Sequence, residues 1–91
     1  MLLTLFASPA GAQTNCAPRL VVIERLADRY GESRRSIGLG ANNAVVEVFA
    51  SIETGTWTIT VTSPGGLTCL VASGQAYEAL QEHPAKSGEQ L

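Results

Sequence analysis

Two cysteines, Cys16 and Cys69, constrain this chain more than any other pair of residues. Joined, they close a loop of about fifty residues, and in the chain-entropy account such a closure contributes about 4 kcal/mol. With 91 residues the chain has room for one domain. Removal of residues 1–12 would leave 79, near the size at which a hydrophobic core alone supplies about 3–5 kcal/mol, so a bridge would match the core in weight. The other uses of cysteine fit poorly. No CxxC spacing occurs and His83 is the single histidine, too few ligands for a structural zinc site without carboxylates. A redox-active pair usually sits close in sequence at a helix start. A structural disulfide between Cys16 and Cys69 is expected, with no metal and no cofactor.

A disulfide implies an oxidising compartment, and the start of the chain agrees. Met1-Leu2-Leu3-Thr4-Leu5-Phe6-Ala7 is apolar, and Pro9 followed by Ala10-Gly11-Ala12 reads as a small-residue cleavage site. Residues 1–12 are therefore expected to be a signal peptide. Its missing basic start suggests that a further stretch lies upstream. The apolar run is far shorter than the roughly 20 residues a membrane helix needs. Gln13-Thr14-Asn15 before Cys16 is not a lipidation box. The expected location is periplasmic or secreted, without stable membrane insertion after cleavage.

Residues 13–82 are expected to form one α+β domain and 83–91 a disordered tail. Hydrophobic residues make up 45% of the chain, which argues against wholesale disorder. Leu20, Ile23, Leu26, Ala27 and Tyr30 recur at three- and four-residue spacing, predicting a helix over about 17–30. Asn15 suits its cap, Pro18 its first turn and Gly31 its end. The period then shortens. Strands are expected at 36–40, 44–50, 56–62 and 67–72, separated by turns at Asn42-Asn43, Glu53-Thr54-Gly55 and Pro64-Gly65-Gly66. A short helix is expected at 75–81, with Tyr77 and Leu80 facing inward. The predicted architecture is thus an N-terminal helix packed on a three- or four-stranded antiparallel meander, with a short C-terminal helix. Thr56 to Thr62 alternates strictly. Trp57, Ile59 and Val61 are expected to face the helix, leaving the threonines in solvent.

Few residues offer chemistry. With six basic and eight acidic residues the net charge is −2, and Arg34-Arg35 is the only adjacent basic pair, too little for a nucleic-acid surface. His83 lies beside Pro84 in the expected tail, a poor place for a general base. Glu47 and Glu53 offer a carboxylate pair of the kind glycosidases use; the plainer reading has Glu47 in solvent or paired with Arg34 or Arg35. Gly38-Leu39-Gly40 lacks the third glycine of a nucleotide fingerprint and reads as a bulge or kink. The row Thr56, Thr58, Thr60, Thr62 is the most regular candidate for a partner-binding surface, and an edge strand could pair with a partner's strand.

Tyr30-Gly31-Glu32, Gly38-Leu39, Val46-Glu47-Val48-Phe49-Ala50-Ser51, Thr54-Gly55-Thr56-Trp57-Thr58-Ile59 and Cys69-Leu70-Val71-Ala72-Ser73-Gly74 together resemble small secreted alphaproteobacterial proteins of unassigned function. That resemblance implies a periplasmic location and carries no activity, ligand or catalytic residue.

The expected function is a small exported, non-enzymatic binding or accessory module acting on a protein partner, because a stable scaffold shows no reaction centre. The alternatives are a small hydrolase using Glu47 and Glu53, and a structural cell-envelope component.

Overall fold

The computed structural model describes residues 15–84. The expected signal peptide, and the expected tail beyond Pro84, lie outside them. The elements are β1 (Cys16–Pro18), α1 (Arg19–Tyr30), β2 (Ser33–Leu39), a 3-10 turn at Ala41–Asn43, β3 (Val45–Ala50), β4 (Trp57–Thr62) and β5 (Leu67–Gly74). Every strand pair is antiparallel, and the sheet runs β1-β5-β4-β3-β2.

This architecture corrects the expected one in three respects. The sheet has five strands rather than three or four. The fifth is β1, drawn from residues expected to begin the helix. Cys16 lies directly opposite Cys69, the two are joined by a disulfide, and Leu70 N–H donates to Asn15 O. Asn15 is thereby spent on the sheet. Pro18 becomes the residue before the helix, which has no side-chain cap there. The left-handed Gly31 (φ 65°) closes the other end, its N–H reaching Ala27 O.

The second correction concerns 75–81, where no helix forms. Ala76 adopts φ 62°, and Tyr77 N–H donates to Gly55 O. The segment is held against the β3–β4 turn by its backbone instead of coiling on itself.

The third correction decides everything about the surface: α1 covers the opposite side of the sheet from the one expected. Cross-strand register places Glu47 opposite Thr60, Phe49 opposite Thr58, and Thr62 opposite Thr68. All six are buried. Directly opposed residues share a face, so the threonine row lies on the Glu47 and Phe49 side. Val22 and Leu26 of α1 cluster there with Phe49, and Ala17 and Ile23 pack against them. The inward stripe of the helix is rotated accordingly, and Leu20, which periodicity placed inside, is 69% exposed. Two β3 residues account for the choice of face. Phe49 gives the helix an apolar partner, and Glu47 gives its first residue, Arg19, an anion.

The other face carries Trp57, Ile59 and Val61, paired with Ala50, Val48 and Val46. The helix α1 packs on the opposite face, and the chain after β5 meets this one at Trp57, through Gln75 O.

Candidate functional site

Glu47 sits in the middle of β3, and its side chain is wholly buried. Arg19 grips it with one edge of its guanidinium: Nε donates to Oε1 at 3.0 Å and Nη2 donates to Oε2. Arg34 Nη1 of β2 donates to the same Oε2 at 3.0 Å. These hydrogen bonds, Arg19's above all, hold the Glu47 carboxyl below the usual carboxylate range although burial pulls the other way. The same bond raises the Arg19 guanidinium. A buried carboxylate whose two oxygens both accept from guanidinium donors is a structural anchor. Each oxygen already accepts from an arginine, and the side chain is closed off from solvent, a poor setting for a general acid or base.

Glu53 is exposed in the β3–β4 turn, where it lines a shallow hollow with Arg29, Tyr30 and Thr54. Arg19 begins α1 and Arg29 nearly ends it, so the helix separates the two carboxylates by about 15 Å of rise. The structure does not bring Glu47 and Glu53 together. His83 is exposed in irregular chain.

The threonine row is not a surface. Thr58, Thr60 and Thr62 are buried beneath α1, Thr62 and Thr68 sharing a hydrogen bond of 2.7 Å between their hydroxyls. Thr56 alone is half-exposed, within 3.3 Å of Thr54 hydroxyl to hydroxyl. Solvent exposure of the row, expected from alternation, is corrected by this burial.

Two features remain as candidates. The first is the uncovered face of the sheet. Val46, Val48, Ile59, Val61 and Trp57 are half-buried by their own sheet neighbours, with the Cys16–Cys69 bridge beside Val61. Of the residues paired across β3, β4 and β5 on this face, none carries a charge. Trp57 is pinned: its Nε1–H donates to Gln75 O at 3.1 Å, and its ring lies against Gly74.

The second is a cleft of about 280 Å³ at the C-terminal end of α1. Leu26, Tyr30 and Leu70 contribute apolar groups to its lining, and Glu32, Thr58 and Ser73 polar ones. Glu32 is 4% exposed, and its Oε1 has no hydrogen-bond partner among the described residues. Its backbone is fixed by the helix end, since Glu32 N–H donates to Leu26 O just beyond the Gly31 cap. No periodicity or spacing marks Glu32. The one available signal was its place directly after a helix-capping glycine, which ties its backbone down.

No family model, curated protein or solved structure matches this chain. The resemblance to small secreted alphaproteobacterial proteins gains nothing from these comparisons. Among the described residues no group of three or more potential metal ligands occurs, and no helix is long and apolar enough to cross a membrane.

Proposed function

We propose that this chain is a small exported binding module that acts on a protein partner in the periplasm and catalyses no reaction. One observation carries the reading: the apolar face of the sheet, with Val46, Val48, Trp57, Ile59 and Val61, is the face that α1 leaves uncovered. A chain that buries threonines and a glutamate under its helix while leaving Val46, Val48, Trp57, Ile59 and Val61 half-buried on the other face has a local pattern at odds with its fold. Such conflicts are expected at functional sites. Contiguous apolar surface open to solvent marks interaction sites, and half-buried apolar residues without charge across β3, β4 and β5 suit a partner of matching apolar character. The disulfide, and a described chain without a membrane-crossing helix, are compatible with export.

The test is photo-crosslinking in the periplasm of a Gram-negative host, comparing the parent chain with Ile59→Lys. The substitution sets an ammonium in the middle of the uncovered face and leaves the helix side untouched. The reading predicts a discrete crosslinked partner that the variant loses. A crosslinking pattern identical in both proteins contradicts it.

A further inference from the structure

We propose that the Glu32 cleft receives the guanidinium of an arginine side chain presented by the partner protein. The inference rests on the reading of this chain as a partner-binding module and names a second point of attachment, on the helix side of the sheet.

Three properties of Glu32 converge. It is a carboxyl side chain removed from water, at 4% exposure. Its Oε1 has no partner among the described residues, whereas the equally buried Glu47 has two arginines. It also follows the last turn of α1 directly, where the helix dipole presents its negative end. Each property suits an incoming cationic donor. Buried polar groups without partners are few in folded proteins and call for an explanation. An incoming donor supplies one here.

The cleft also selects the kind of cation. At about 280 Å³ it falls just below the range of sites for drug-sized ligands, and suits a single side chain. Leu26, Leu70 and the ring of Tyr30 offer apolar contact to an aliphatic stem. Glu32, Thr58 and Ser73 offer oxygen acceptors. A guanidinium is planar, weakly hydrated and forked, so it can hold a carboxylate through two parallel bonds and stack on an aromatic ring. The compact, strongly hydrated ammonium of lysine does neither as well. The chain already solves the same problem internally, since Arg19 makes this fork on Glu47. The side chains at the mouth are accessible: Tyr30, Ser73 and Gln75 are exposed.

The test is a titration of the oxidised protein with N-acetyl-arginine amide, followed by backbone amide NMR shifts. N-acetyl-lysine amide and N-acetyl-norleucine amide serve as comparison probes. The proposal predicts saturable shifts confined to residues around Glu32, Thr58, Ser73 and Leu70, with arginine binding at least about tenfold tighter than norleucine and tighter than lysine. Glu32→Gln removes the binding. Ser73→Phe, which fills the cleft from its exposed rim without touching the core, removes it as well and covers the case in which Glu32→Gln fails to fold. Shifts that never saturate, that norleucine reproduces, or that persist in Ser73→Phe overturn the proposal. The crosslinking of the parent chain and Ile59→Lys separates the two readings. Partner capture lost in Ile59→Lys, with no arginine binding, overturns the cleft alone. Arginine binding without any captured partner overturns the binding-module reading, and with it a partner as the source of the arginine, while the cleft stands as an arginine site.

Discussion

Arg19, the first residue of α1, and Glu47, in the centre of β3, lie 28 positions apart and meet through two hydrogen bonds. This pair ties the start of the helix to one side of the sheet and leaves the other side uncovered by it. Removing one member of a buried pair strands the other. Arg19→Ala is expected to cost about 3 kcal/mol, the low end of the usual range because Arg19 is itself 35% exposed. Arg34→Ala is expected to cost less, since Arg34 gives a single bond from a side chain half in solvent. Urea midpoints of the two variants check the order, and a reversed order would contradict the geometry.

The same pair ties stability to pH. The folded Glu47 carboxyl titrates below its unfolded value, which is about 4.3. Its contribution is therefore complete above the unfolded value and is lost as pH falls through the folded one. Unfolding free energy is expected to decline from about pH 5 downward. Glu47→Gln is expected to remove that part of the decline, so the gap between parent and variant narrows steadily as the solution is acidified. A gap that is constant with pH would show that Glu47 contributes no charge-dependent stability.

Two buried threonines one residue apart in the row are expected to respond oppositely to the same change. The Thr60 hydroxyl is buried without a partner among the described residues. Thr60→Val keeps the shape, removes an unmet polar group and is expected to stabilise by about 1 kcal/mol. Thr62 shares its hydroxyl with Thr68. Thr62→Val leaves the Thr68 hydroxyl unmet and is expected to destabilise by about 1–2 kcal/mol. Thermal unfolding of both variants measures the pair.

Gly74 is required by Trp57. A Cβ added at Gly74 would stand 2.7 Å from Cζ2 of the indole, closer than packing allows. Gly74→Ala is expected to displace the ring, break its bond to Gln75 O and cost about 1–3 kcal/mol. Tryptophan fluorescence, reporting on the single indole of the chain, is expected to shift to the red.

What could be read from the sequence was local. The alternation from Thr56 to Thr62 and the β-branched run of β3 marked strands because a pleated strand has a period of two residues. Gly31 marked the helix end because a left-handed residue closes a helix there. Alternation separates two faces without saying which is covered. Hydrophobicity alone assigned Trp57, Ile59 and Val61 to the interior. The deciding contacts, Phe49 with Val22 and Leu26, and Glu47 with Arg19, depend on register between distant segments, which no local pattern carries. The short strand at Cys16–Pro18 was hidden for a related reason. Three residues have no period of their own, and their pairing with β5 comes from the partner strand and the disulfide. Glu32 escaped notice because its isolation is a property of the cleft, not of its neighbours in sequence.

The most direct test of the account is the orientation of β4. Single cysteines placed by Thr60→Cys and by Ile59→Cys, in the oxidised protein, are reacted with a thiol reagent under native conditions. The account predicts that the thiol at position 59 reacts readily, while that at position 60, where the parent side chain is wholly buried under α1, reacts only through unfolding and becomes reactive in urea. Rapid native labelling at 60 with protection at 59 would place the helix on the apolar face. The Arg19–Glu47 anchor, the uncovered apolar face and the Glu32 cleft would then all be contradicted together.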